Sequence, residues 1–398
     1  MTMTDAPRTT NLLESDFYFF QDQLSDRENE KILEIRSFFE TNVRPIANDY
    51  WARAEMPFEL VPGIAKLGVF GPEWQDEYRD YSAVFRGWTG LEMARVDASL
   101  TTFCGVQGGL AMGAFGVGGS DEQRDYWLPK LASGEVMGSF ALTEPLSGSD
   151  TARGLQTVAE RNGDTWTLNG AKRWIGNATF ADIVVVWARD VADDKVKGFI
   201  VRTDSPGFTA TKIEDKQSLR IVQNADITLT DVKVDEKDRL QRINGFRDLA
   251  VILRLTRAGV AWQAVGNSIG AYEAAVAYSK SRIQFGKPIG GFQLVQELLS
   301  TALGNITASI ALCMQVSRLQ DEGRQSDAQS ALSKAFVTSR ARETVALCRE
   351  VLGGNGIVLE YGAAKSFADA EAIYTFEGTR QMNNLIVGKA ITGFSAFV

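Results

Sequence analysis

An α+β, mainly helical fold is predicted for these 398 residues: an N-terminal helical domain, a middle antiparallel β-domain and a C-terminal four-helix bundle. Two changes of texture carry that prediction. Apolar residues recur every three or four positions up to about residue 135, alternate in twos to about 240, and then return to the helical spacing. The boundaries this draws are 1–135, 136–240 and 241–398, in keeping with the roughly two to three domains expected at this length.

The elements follow in order. Ser25 and Glu28 stand at capping-box spacing ahead of Ile32, Ile35, Phe39 and Val43, which predicts an amphipathic helix over 25–47. Further helices are predicted around 58–67, 80–95 and 99–115, and SDEQRDYWLPKLASGE reads as a capped helix ending in a loop. After Glu144-Pro145 come two Asn-Gly steps, Asn162-Gly163 and Asn169-Gly170, which are hairpin signals because both residue types tolerate positive φ. DIVVVWARD, GFIVRTD, FTATKI and ADITLTDVKV are short β-branched runs bounded by Gly, Pro or Asp, hence strands. From 246 one stripe runs through Trp262, Val265, Ile269, Tyr272 and Val276, and a second through Phe292, Val295, Leu299, Ile306 and Ile310. Two more helices fit at 326–352 and 379–395, and long helices with short connections imply an antiparallel bundle.

Composition narrows the chemistry. No run of 18 or more apolar residues and no basic-then-apolar leader is present, so neither a membrane association nor a signal peptide is expected, and a cytoplasmic location is. A net charge of −8 argues against nucleic-acid binding, so anionic ligands would need locally placed arginines. Cys104, Cys313 and Cys348 are too scattered for a disulfide framework and read as small core residues in a reducing compartment. The chain has no histidine. That removes Ser-His-Asp and Cys-His nucleophiles, HExxH zinc sites and histidine-held haem, leaving proton chemistry to Asp, Glu, Lys, Tyr or Cys. No metal centre is expected.

Five segments could carry chemistry, each with an ordinary structural alternative. FALTEPLSGSD, Phe140 to Asp150, offers hydroxyls at Thr143, Ser147 and Ser149 and a close backbone approach at Gly148; it reads equally as a polar linker. KRWIGN, Lys172 to Asn177, sets Trp174 either against a flat heterocycle or in a core. In SRIQFGKPIGGFQ, Arg282 follows a helical stripe and could pair with a pyrophosphate or be a solvated charge. Gly353-Gly354 in EVLGGNGI could abut a dinucleotide or cap a helix. Glu377, behind mostly apolar and aromatic residues and ahead of the helix-capping Thr379, is either a desolvated base or an exposed helix-start residue.

Taken together and in this order, the TEPxSGSD, WI-x-N, R-x-QFG-x-P, LGGNGI and YxxEGT segments resemble those of the acyl-CoA dehydrogenase superfamily across nearly the whole chain. The nearer resemblance, through ALTEPLSGSD, RWIGNATFAD, SRARET and IYTFEGT, is to the glutaryl-CoA dehydrogenase branch and the plant peroxisomal short-chain acyl-CoA oxidases. It implies the acyl-CoA dehydrogenase fold, FAD as cofactor, an acyl-CoA substrate of fatty-acid β-oxidation type, and a homotetramer.

Carried over residue by residue, the resemblance makes Glu377 the base that removes the substrate α-proton while the β-hydrogen leaves as hydride to the flavin. Phe140, Leu142, Thr143, Ser149, Trp174, Ile175 and Gly176 match flavin contacts. Arg282, Phe285, Gln293, Glu350, Gly353 and Gly354 match positions holding the rest of FAD, partly across a subunit interface, and Thr379 and Gln381 meet FAD at a helix start. Thr101, Thr102, Ser149, Arg257 and Gly378 match substrate contacts, with CoA held by loops flanking the β-domain and by 250–257. Three departures stand out. Thr101 replaces the arginine that pairs with a glutaryl carboxylate, Gly176 replaces a threonine beside the flavin, and Glu350 replaces a glutamine. The first argues for a short, uncharged acyl group and the second leaves O2 as an alternative to an electron-transfer flavoprotein. The C-terminal Ala396-Phe397-Val398 lacks the peroxisomal tripeptide of the oxidases. A non-catalytic acyl-CoA or flavin binder is the third reading.

Overall fold

The computed structural model describes residues 12–396, so residues 1–11, where a leader was not expected, and the last two residues of the C-terminal tripeptide lie outside the described residues. Helix α1 (Asp26–Phe38) begins as its spacing predicts: the Ser25 hydroxyl accepts from the Glu28 N–H, and the Glu28 carboxylate accepts from the Ser25 N–H at 2.9 Å. A π turn over Phe39–Val43 carries it into α2 (Arg44–Arg53). Then follow α3 (Val61–Lys66), α4 (Ala83–Val96), α5 (Ala98–Cys104), a second π turn (Gly105–Ala111), α6 (Met112–Gly118) and α7 (Asp121–Ser133). Ala98–Gly118 and Gln293–Asp321 are long and apolar enough to cross a membrane by length and composition, a property that a search for unbroken apolar runs did not detect. In the first, 72% of the apolar window is buried, so its hydropathy serves the protein core; in the second 39% is, and most of its other large apolar residues are half-buried.

The middle region contains β1 (Gly138–Ala141), β2 (Val158–Asn162), β3 (Thr165–Gly176), β4 (Ile183–Asp190), β5 (Val196–Arg202), β6 (Phe208–Lys212) and β7 (Asn224–Asp235). Its sheet runs β1-β4-β2-β3-β7-β6, with β5 on β4. The pairing departs from a purely antiparallel plan: β1 and β2 both run parallel to β4, while the β2–β3, β3–β7, β4–β5 and β6–β7 pairs are antiparallel. Because β5 covers β4 from Ile183 to Arg189 on one edge, β1 and then β2 share the other, in line. The loop 142–157 is therefore an excursion from one strand line that leaves and rejoins it. Alternation in a sequence reports faces and not strand direction, so this could not be read from it.

β4 is buried on both faces. Ile183, Val185 and Trp187 join the core shared with the helices, whereas Val184, Val186 and Ala188 join the core of the sheet. An unbroken apolar run such as IVVVWA is what a two-sided strand requires.

Helix α8 (Phe246–Ser281) has 36 residues and so spans about 54 Å. A small hairpin, β8 (Ile283–Gln284) and β9 (Lys287–Pro288), leads to α9 (Gln293–Asp321), α10 (Asp327–Val351), α11 (Ala363–Thr375) and α12 (Arg380–Thr392). The four predicted helices are α8, α9, α10 and α12; the additional α11 is the short, alanine-rich segment immediately before Glu377. α8 lies tightly on α4, since a Cβ at Gly266 or Gly270 would come within 2.2 or 2.3 Å of the Leu91 or Arg95 carbonyl. Cys104, Cys313 and Cys348 are buried and free, and burial pushes all three thiols up.

Two buried charges fix the segments around the central cleft. Asp369 of α11 accepts from the Trp51 indole at 3.0 Å and the Leu219 N–H at 2.6 Å, so one carboxylate joins all three regions; burial pushes it up to about 7. Lys172 of β3, fully buried, donates to the Glu144 carboxylate at 2.8 Å and the Leu142 carbonyl at 3.1 Å. Glu144 also accepts from the Gln156 and Thr157 N–H groups at 2.6 and 3.0 Å, which closes the neck of the 142–157 loop. Lys172→Met would strand the Glu144 charge and should cost about 3–5 kcal/mol. Adding Glu144→Gln, which still accepts those N–H groups, should recover part of it; thermal unfolding of the two variants measures both.

Candidate active site

The three regions meet around a cleft of about 940 Å3, near the upper end of the usual range for small-molecule sites. Phe140, Leu142, Thr143, Ser149, Trp174, Ile175 and Gly176 line it from the sheet side, and Thr101, Thr102, Arg257, Glu377, Gly378 and Thr379 from the helical side. Thirteen predicted residues thus converge from distant parts of the sequence. Arg282, Phe285, Gln293, Glu350, Gly353, Gly354 and Gln381 do not line it; all are exposed. The length of α8 explains much of this, because Arg282 lies 25 residues beyond Arg257, or about 38 Å along the helix axis.

Glu377 occupies the link between α11 and α12. Its φ of 54° is left-handed, followed by Gly378 at 88° and by Thr379, whose hydroxyl caps α12 by accepting from the Met382 N–H. Left-handed backbone in a glutamate is unfavourable and persists where surrounding contacts over-determine it. One such contact is local: Asn383, fully buried, donates to the Gly378 and Thr379 carbonyls at 2.8 and 3.1 Å. The carboxylate itself accepts from the Thr256 hydroxyl at 2.9 Å. Burial pushes Glu377 above the usual carboxylate range, with Thr256, Arg257 and Lys334 acting in the opposite sense. A carboxylate so placed is a stronger base than one in water.

Opposite it, β3 breaks register between Lys172 and Ile175. The bulge puts Trp174 at φ 65° with 51% of its surface exposed, so it is not a core tryptophan but a flat wall of the cleft. Ile175 turns inward, and the Gly176 carbonyl accepts from the Ser139 hydroxyl at 2.6 Å. A Cβ at Gly176 would come within 2.9 Å of Val106 Cγ2, so the space freed by the missing side chain is occupied from the α5–α6 π turn.

These walls suit a flavin and an anionic thioester. An exposed aromatic face and the Thr143 and Ser149 hydroxyls border one side. On the other, Arg257 Nε and Asn383 Oδ1 are buried polar atoms without a partner among the described residues, which a ligand could satisfy. Thr256, Lys334, Asn383, Val106 and the Glu144–Lys172 pair were not singled out from the sequence. A lysine in the small-residue stretch SALSKAFV was the one available signal, since unpaired lysine is rarely buried.

The fold and site together define a three-region enzyme with a half-buried carboxylate, pushed above the usual range, facing a flavin-sized cleft. The chain matches the acyl-CoA dehydrogenase N-terminal domain over residues 25–135, the middle domain over 139–232 and the C-terminal domain over 244–392, and it belongs to that family. It is 31% identical over 369 residues to the probable acyl-CoA dehydrogenase YngJ of Bacillus subtilis, covering 90% of this chain and 96% of that one. Two structures of Mycobacterium smegmatis glutaryl-CoA dehydrogenase superpose with TM-scores of 0.91 and 0.92 at 38% and 35% identity, covering 95% and 96% of this chain and 98% of each of theirs. The second is a complex with FADH2. Butyryl-CoA dehydrogenase of Megasphaera elsdenii superposes with a TM-score of 0.88 at 29% identity, over 92% of this chain and 98% of that one. The protein is accordingly an FAD-dependent enzyme of acyl-CoA oxidation.

The raised Glu377 value has a definite sign in stability. The folded state favours the protonated form, so this group's contribution is complete below the unfolded value of about 4.3 and is lost as pH rises through the folded value. Glu377→Gln should therefore gain stability over the native chain as pH rises from about 4.3 toward neutrality, measured as the difference in Tm across pH. Thr256→Val should move the acid limb of kcat/KM upward and lower activity at pH 7, read from a pH–rate profile.

Proposed function

We propose that this enzyme desaturates a short, uncharged acyl-CoA thioester between Cα and Cβ, with Glu377 removing the α-proton, and that its electrons pass to an electron-transfer flavoprotein. The observation that carries this reading is Glu377, half-buried and left-handed, with its carboxylate hydrogen-bonded to Thr256 at the cleft. FAD, when bound, supplies the acceptor for the β-hydride. Trp174, Ile175, Thr143 and Ser149 would border its ring system, and Thr379 would meet it from the α12 N-terminus. Glu377 must take the proton as enolate-like charge develops on the thioester oxygen. Its own backbone N–H is the candidate donor to that oxygen, where a fixed dipole costs no reorganisation. Arg257 adds positive charge near the carboxylate without forming a bond to it among the described residues.

The uncharged acyl group rests on Thr101. Its hydroxyl donates to the Asp97 carbonyl at 2.9 Å and brings no positive charge to the cleft wall. A glutaryl carboxylate left unpaired there would cost several kcal/mol. The acceptor reading is supported by Val106, whose Cγ2 would lie 2.9 Å from a Cβ at Gly176 and so stands beside the place a threonine side chain would take. Assembly into a homotetramer is supported by Phe285 and Leu294, large apolar side chains 94% and 80% exposed.

Anaerobic titration of the flavin spectrum with C3 to C8 acyl-CoAs and glutaryl-CoA tests the substrate. Short straight or branched acyl-CoAs should bleach the flavin, and faster bleaching by glutaryl-CoA would overturn the assignment. Glu377→Gln should keep the yellow colour and thioester binding yet lose reduction. Peroxide formation in air should be slow and should rise in Val106→Ala; rapid acceptor-free turnover by the native enzyme would make it an oxidase.

A further inference from the structure

Lys334 is a lysine with no exposed surface, on α10, in a stretch of small and apolar residues. Its ammonium donates to the Tyr374 carbonyl at 2.7 Å and to the Gly378 carbonyl at 2.8 Å. Those two carbonyls bracket Thr375, which ends α11, and Phe376 and Glu377, which begin its link to α12. The Gly378 carbonyl also accepts from Asn383, so the far end of the turn is held from both α10 and α12. A buried lysine that only filled space would be disfavoured against methionine, because its ammonium must be desolvated.

We propose that Lys334 is the positioning residue for the catalytic base: its ammonium bridges the Tyr374 and Gly378 carbonyls, holds Glu377 in its left-handed conformation and keeps the carboxylate aimed into the cleft. The inference rests on the assignment of Glu377 as base. A positive charge at this point also acts on the carboxylate. The charged groups acting on Glu377 are Arg257 from α8 and Lys334 from α10; Asp327, at the start of α10, acts on Arg257. Lys334 is pushed down to about 8 by burial, with Glu377 opposing that shift and Arg257 adding to it. Lys334 and Glu377 thus favour each other's charged forms across the turn.

Two effects follow from Lys334→Met. Loosening the turn lets the carboxylate drift from its line to the α-carbon, and a displacement near 1 Å can cost on the order of 10²-fold in rate. Loss of the charge moves Glu377 further from the usual carboxylate range, so the acid limb shifts to higher pH. The experiment uses the FAD-loaded enzyme, mixed anaerobically with saturating butyryl-CoA, and follows flavin reduction across pH beside butyryl-CoA affinity. Lys334→Met should slow reduction by about ten- to a hundredfold, raise the acid limb, and leave affinity within about threefold. Lys334→Arg keeps the charge with a different donor geometry, so reduction should slow with the acid limb unmoved. If Lys334→Met does not fold, this second variant decides: a native rate in Lys334→Arg overturns the positioning role. Native rate and native acid limb in a folded Lys334→Met also overturn it. Glu377→Gln measured alongside keeps the two assignments separate, because its retention of fast reduction would refute the base itself whatever Lys334 does.

Discussion

The proposed chemistry depends on one balance of forces at Glu377. Taking a carboxylate out of water raises its proton affinity, and two nearby cations, Arg257 and Lys334, lower it again. Too much desolvation would leave the group protonated and idle; too much positive charge would leave it a weak base. Helices α8, α10, α11 and α12 all reach this point, and each supplies one part of the arrangement. The hydroxyl of Thr256 holds the carboxylate, Lys334 and Asn383 hold its backbone, and α11 delivers the chain to the turn.

The sheet supplies the opposing wall by a different device. The 142–157 loop leaves the line of β1 and rejoins it at β2, so its hydroxyls can project from a rigid sheet without interrupting the strand order. The Lys172–Glu144 pair closes the neck of that excursion, and the bulge in β3 turns Trp174 out beside it. The bulge breaks the regular ladder where a ligand would be met, and the buried Lys172–Glu144 pair holds the loop beside it. Buried ion pairs are weak evidence for stability; here the pair fixes a loop whose shape matters.

Much of this was legible in the sequence, for identifiable reasons. Periodicity located the helices, and the capping boxes at Ser25 and Ser120 placed two helix starts, because those signals are local. Glu377, Thr379 and the Trp174 segment were found through ordered motifs, and the cleft gathers them. What sequence could not show was direction and distance. The parallel strands on β4 leave the same alternating pattern as antiparallel ones. α11 was passed over although its apolar residues fall on one side as clearly as those of the helices that were found. Lys334 touches the turn between α11 and α12 from 43 residues upstream of Glu377, a relation that no local spacing encodes. The residues around Arg282 were grouped with the flavin site by resemblance, and a helix of 36 residues carries them away from the cleft within one chain.

The two-sided burial of β4 bears on how this architecture can be altered. Ile183, Val185 and Trp187 belong to the helical core as fully as Val184, Val186 and Ala188 belong to the sheet. The β-region therefore cannot be lifted out as a module, nor exchanged for that of a relative, without baring one apolar row on the donor and a matching trough on the recipient. Swapping substrate or acceptor preference by transplanting whole regions would require resurfacing β4 and its helical bed together. Changes confined to the cleft-facing loops leave that shared strand intact.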